Sequence, residues 1–95
     1  MILDYIQGRI ELFFAKEGGG ILVRKDRTDY TLVMEDSNTP VARLRNDARK
    51  GNFEVSCWRR SHKRWEGLGD WGATFRTLDE ALDFITTDPL ECFWL

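Results

Sequence analysis

Residues 21–58 read ILVRKDRTDYTLVMEDSNTPVARLRNDARKGNFEVSCW, and the period of that stretch decides the fold. Apolar and polar residues alternate along ILVRK (21–25), DYTLVME (29–35), VARLRN (41–46) and FEVSCW (53–58). A period of two places successive side chains on opposite faces of a strand. The intervening DRT, DSNTP and DARKGN are turn-forming clusters, and SH leads into a fifth short strand, RWEGL (64–68). With a loop at Asp26 and Arg27, Val23 opposes Tyr30 and Ile21 opposes Leu32. A longer loop from Asp36 to Pro40 sets Leu32 against Leu44 and Met34 against Ala42, and the next turn sets Leu44 against Val55. One face then collects Ile21, Val23, Tyr30, Leu32, Met34, Ala42, Leu44, Phe53, Val55 and Cys57. The other carries Thr31, Val33, Val41, Arg43, Arg45, Glu54, Ser56 and Trp58, because a slip of one residue would invert every side chain.

Outward from the meander, Leu3, Ile6, Ile10 and Phe13 recur at helical spacing, widened by Ile2 and Phe14, so residues 2–16 form an amphipathic helix. Gly18, Gly19 and Gly20 end it. At the other side, TLDE at Thr77–Glu80 is a capping box that opens a helix with Leu78, Ala81, Leu82 and Ile85 on its apolar stripe. Asp88 and Pro89 stop that helix. The closing LECFWL is too apolar for a frayed tail, so Phe93 and Trp94 are expected to pack on the sheet or the first helix. The expected architecture is one α+β domain over residues 1–95: a two-layer antiparallel meander of about five strands with both helices on one face.

Composition agrees. A chain of 95 residues needs a dense core to be stable, and four Trp and six Phe within a 42% hydrophobic composition supply one. No apolar run approaches the ~20 residues of a membrane span, and the opening MILDYIQGRI carries Asp4 where a signal peptide carries cations. The expected compartment is the cytoplasm, where Cys57 and Cys92 stay reduced as small apolar side chains.

Charge is segregated. Residues 43–65 hold eight cations against two acids, a net +6, whereas residues 66–95 carry −6. The centre of the basic stretch is CWRRSHKRW (57–65). Folded as a hairpin, it sets Trp58 against Trp65, Arg59 against Arg64 and Arg60 against Lys63. Like charges directly opposite each other repel, so something negative should sit nearby. Three sources qualify: Glu66, Glu54 and the acidic last helix within the protein; nucleic-acid phosphates, with exposed Trp rings stacking on unpaired bases; or an acidic protein partner, for which Trp and Arg are the usual anchors.

Catalytic readings fare poorly. GLGDWG (67–72) matches G-x-G-x-x-G, but a dinucleotide fingerprint must join a strand directly to a helix, and here ATFRT intervenes. Those glycines instead keep a strand flat opposite Ser56 and Glu54 and allow a bend near Asp70, leaving a shallow strip beside Trp58 and Trp65. His62 is the only histidine, so no His-based metal cluster forms, and three nearby cations make it a poor base. Cys57 faces inward, away from the turn that bears His62, so the two do not make a nucleophile and its base.

The strand pair FEVSCWRRSHKRW, the helix opening TLDEAL and the terminal DPLECFW together resemble a family of small bacterial proteins classed only as a domain of unknown function. The resemblance covers residues 41–94, and Trp58, Trp65, Asp88 and Cys92–Trp94 are its most specific positions. It implies a bacterial source and the same compact fold, and brings no activity with it. The functional expectation is therefore a non-enzymatic binding module with no cofactor. Its candidate surface comprises Arg43, Arg45, Trp58, Arg59, Arg60, Lys63, Arg64 and Trp65, used on a protein or small ligand. Single-stranded nucleic acid is the alternative, no membrane is involved, and the aromatic tail is a candidate self-association site.

Overall fold

A computed structural model describes residues 4–68 and 73–94. Expectations for Ile2 and Leu3, for the bend near Asp70 and for Leu95 lie outside the described residues. The order is helix α1 (Tyr5–Lys16), strands β1 (Ile21–Asp26), β2 (Asp29–Met34), β3 (Pro40–Asp47), β4 (Asn52–Arg59), β5 (Arg64–Gly67) and β6 (Thr74–Phe75), and helix α2 (Leu78–Thr87). Strands β1 to β5 lie side by side in chain order, every pairing antiparallel, and β6 adds to the β5 side of β4. This is the expected α+β arrangement, with one strand more than the alternation in the sequence revealed. Among the described residues no helix is long and apolar enough to cross a membrane.

All ten residues assigned to the inner face belong to the core or pack against it, together with Ile10 and Phe14 of α1 and Leu78, Ala81, Leu82 and Ile85 of α2. Both helices therefore cover the same side of the sheet. The pairings themselves differ from expectation in the first two hairpins. Val23 opposes Leu32 and Ile21 opposes Met34, because the first turn is Arg27–Thr28, one residue later than expected, with Arg27 in the left-handed region (φ 57°). Moving a turn by one residue shifts the register by two, which keeps every side chain on its face. In the second hairpin Tyr30 opposes Leu44 and Leu32 opposes Ala42. There the loop tightens: the Met34 amide donates to Thr39 O and the Asn38 amide to Met34 O, with Asn38 at φ 59°. The Leu44–Val55 and Trp58–Trp65 pairings are as expected.

Parity fails at one place. The register of β2 and β3 shifts between Leu32 and Val33, so Val41 has no partner on β2. A bulge of this kind re-aims the extra side chain. Val41, expected outside, joins the inner core at 2% exposure. Val33 is also buried, although it stays opposite the outward Leu22.

Local chemistry explains the ends of the elements. Asp4 caps α1 by accepting the Gln7 amide at 3.0 Å, and it also accepts from the Tyr30 hydroxyl and pairs with Lys25 at 2.7 Å. Gly18, Gly19 and Gly20 have φ of 113°, 77° and 84°, a run of left-handed backbone that side-chain-bearing residues strongly resist. Thr77 accepts the Glu80 amide at 3.2 Å, as a capping residue should, while the Glu80 carboxylate takes the Thr77 hydroxyl rather than the Thr77 amide. Beyond β5, the Leu68 amide donates to Val55 O, the Val55 amide to Ala73 O and the Ala73 amide to Leu68 O, so Leu68 and Ala73 close on Val55 between β5 and β6.

The tail is docked by Asp88. This residue ends α2 in the left-handed conformation (φ 47°, ψ 57°), and its carboxylate accepts the amides of Cys92 at 2.8 Å, Phe93 at 3.2 Å and Trp94 at 3.2 Å. Phe93 packs edge-on against Phe84 within the core. Trp94 donates Nε1–H to Ile85 O at 2.8 Å and sets its ring 6.4 Å from that of Phe14 on α1.

Candidate functional site

The outer sheet face, which neither helix covers, is organised in rows across the strands. Thr31, Arg43, Ser56 and Gly67 stand in one register row, and Asp29, Arg45, Glu54 and Thr74 in another. Trp58 and Trp65 oppose each other at the end of β4 and β5, half-buried, with ring centroids 5.3 Å apart and planes at 67°. Edge-to-face geometry sets the positive rim of one ring against the negative face of the other. The guanidinium of Arg43 lies 4.4 Å from the centre of Trp65 while its Nε donates to the Thr31 hydroxyl at 3.2 Å. Arg43 is thus held as a cation on an aromatic face, worth about 0.5–2 kcal/mol according to how dry the contact is.

Gly67 stands beside Ser56 and close to the Glu54 side chain. A Cβ there would stand 3.2 Å from Glu54 Oε1 and 3.9 Å from Ser56 Oγ. The bare backbone leaves room for the Glu54 carboxylate; Gly67 opposes Ser56 as expected, but Glu54 is opposed by Thr74 of β6, and Gly69 and Gly72 lie outside the described residues.

The basic residues divide into separate groups. Arg45 gives Nε to Asp29 at 3.0 Å, a contact that raises the guanidinium further above its ordinary range, so its charge is met within the sheet. Arg59 opposes Arg64 and pairs through Nε with Glu66 Oε2 at 2.9 Å. The acid demanded by the facing arginines is therefore Glu66. Among the described residues the acidic last helix contributes no ion pair to the hairpin; its Asp79 pairs with Arg9 of α1 instead. Lys63 occupies the left-handed position of the hairpin turn (φ 49°). Arg64 lines a recess of about 340 Å³ with Arg59, His62, Trp65, Glu66 and Gly67, which borders Trp65 but not Trp58. Arg60 points elsewhere, into a recess with Trp94 and the β2–β3 loop.

On the covered side, Cys57 and Cys92 are both unbridged and their thiols meet beside Leu68 and Leu90. Burial raises both, Cys92 to about 12, so neither is a ready nucleophile. From the candidate set the structure brings Arg43, Trp58 and Trp65 together, sets Arg59 and Arg64 beside Glu66 in the adjoining recess, and separates Arg45 by its pairing with Asp29 and Arg60 by its direction. Sequence reasoning missed the clamp made by Asp88, although the Asp-Pro step at a helix end was its visible signal.

The chain belongs to the family described as Domain of unknown function (DUF3024), which matches residues 2–95. The match takes in the first helix and hairpin as well as the second half, where the resemblance was read. No curated protein and no solved structure matches the chain.

Proposed function

We propose that this member of the DUF3024 family is a non-enzymatic binding module that recognises a protein or small ligand through its outer sheet face, centred on Trp58, Trp65 and Arg43. The observation that carries the reading is the stack itself: two tryptophans and a guanidinium fixed against one another on a face that no helix covers. Rigid aromatic and Arg side chains lose little conformational freedom on binding, which is why they dominate interface energetics. The internal pairing of Arg45 with Asp29 and of Arg59 with Glu66 lowers the charge left for phosphates, so a protein or small ligand is favoured over single-stranded nucleic acid. The bacterial source implied by the resemblance, and a cytoplasmic setting, belong to the same proposal.

The test compares wild type with Trp65→Ala and Arg43→Ala. Partners retained by the immobilised wild-type domain from a bacterial lysate should be lost by both variants while each keeps the wild-type far-ultraviolet circular dichroism spectrum, since both substitutions also remove stabilising contacts of the stack. A mixed single-stranded oligonucleotide is titrated in parallel at low and moderate salt while Trp emission is followed. Quenching at low salt that weakens steeply as salt rises would transfer the surface to nucleic acid. Unchanged retention by both variants would remove the outer face from function altogether.

A further inference from the structure

Where the β2–β3 loop, the end of β4 and the C-terminal tail meet, the domain holds a second recess of about 390 Å³. Its apolar part is made by Met34, Val41 and Phe93, with the Trp94 ring as a wall. Arg60 and the Ser37–Thr39 hydroxyl pair supply the polar rim, and Asp36 stands there as one acid. Among the described residues neither Arg60 nor Asp36 makes an ion pair.

The recess is built before anything enters it. Val41 reaches it only because the bulge turns that residue inward. Ser37 and Thr39 are fixed 2.7 Å apart in a loop closed by Met34, and Arg24 Nη2 holds the Asn38 side chain at 2.7 Å. The Trp94 indole is tied to Ile85 O and its amide to Asp88, which fixes a residue that is 40% exposed. Preformed walls reduce the ordering cost of binding.

We infer that this recess binds a small aromatic acid through a single carboxylate, the ring against Trp94, Met34 and Phe93 and the carboxylate toward Arg60 and the Ser37 and Thr39 hydroxyls. The volume lies in the lower range of small-ligand sites and suits one ring with a short side chain. A guanidinium fork matches a carboxylate. Asp36 disfavours a second negative charge, which selects against phosphates. The same chemistry is carried by a plain arylacetate and by a zwitterionic aromatic amino acid. The site is separate from the Trp58–Trp65 face and stands or falls independently of it.

The test is a titration of the ¹⁵N-labelled domain with phenylacetate, with L-phenylalanine and phenethylamine in parallel. Phenylacetate should shift the amides of 34–39, 41, 60 and 93–94 with a dissociation constant of about 1 mM or tighter. Phenethylamine, the cation, should not. L-Phenylalanine binding better than phenylacetate would identify the zwitterion, with Asp36 holding the ammonium, and the reverse order the simple acid. Arg60→Met, an exposed substitution, should weaken phenylacetate binding about tenfold or more, whereas Trp65→Ala should leave it unchanged. The inference is overturned if saturating phenylacetate leaves those amides unmoved, if Arg60→Met binds as tightly as wild type, or if phenethylamine binds equally well.

Discussion

Asp88 offers the sharpest check on how the tail is held. Replacing it with Ala removes the acceptor for three amides and leaves a Cβ-bearing residue in the left-handed region without the local hydrogen bonds that make Asp tolerable there. Charge-assisted hydrogen bonds contribute about 1.5–3 kcal/mol, and the left-handed backbone costs Ala roughly 1 kcal/mol. The expected loss for Asp88→Ala is about 3 kcal/mol, allowing for partial rescue of the amides by water. Asp88→Gly relieves the backbone and should lose about 2 kcal/mol. Asp88→Asn keeps one carbonyl oxygen and the left-handed preference, and should lose about 1 kcal/mol. The assay is urea unfolding followed by far-ultraviolet circular dichroism. With a slope of roughly 1–1.5 kcal/mol/M for a domain of this size, the Ala midpoint should fall by about 2–3 M. Deleting residues 92–95 sets the lower bound, since it removes Phe93 from the core as well, and should cost several kcal/mol. An Ala variant within about 0.5 kcal/mol of wild type, well below the value of one charged hydrogen bond, would refute the clamp. Gly as harmful as Ala would refute the backbone share.

Three further outcomes follow from the same structure. Thr77→Ala removes the cap of α2 and should lower stability by about 1 kcal/mol, visible as a lower urea midpoint at unchanged slope. Asp4→Ala should also lose about 1 kcal/mol at neutral pH, from the cap of α1 alone. Because Lys25 and the Gln7 amide hold the Asp4 carboxyl below its ordinary 3.8, its contribution is present above that value and fades as pH falls through the depressed folded one; the wild-type and variant curves should converge in acid. A gap that persists unchanged at pH 2 would contradict the pairing. Finally, native Cys92 should alkylate at pH 8 at least about a hundredfold more slowly than a free cysteine, accelerating with pH, since its thiol is pushed up to about 12; rapid labelling of the folded protein would refute that burial.

Which face each strand residue occupies was legible in the sequence because parity survives errors of two. Placing the first turn at Asp26–Arg27 instead of Arg27–Thr28 changed every partner of Val23 and Ile21 yet moved no side chain across the sheet. What parity cannot contain is a bulge, and Val41 was misplaced for that reason. The two-residue strand β6 was missed because Thr74 and Phe75 are too few to show a period. In the candidate site, the Trp58–Trp65 and Arg59–Arg64 pairings followed from hairpin symmetry alone. The fates of the arginines did not, since they depend on partners distant in the chain: Thr31 and Trp65 for Arg43, Asp29 for Arg45, and the tail for Arg60.

The sequential order of β1 to β5 bears on the time course of folding. Each of those pairings closes only a short loop, so the meander can assemble from hairpins that form on microsecond timescales in isolation. The contacts that bring Trp94 to Phe14 join opposite ends of the chain and belong to a late event. Interactions made after the rate-limiting barrier slow unfolding without hastening folding. The Asp88 clamp then acts as a kinetic lock: in stopped-flow measurements its loss should steepen the escape from the native state while the refolding rate stays near that of the intact protein.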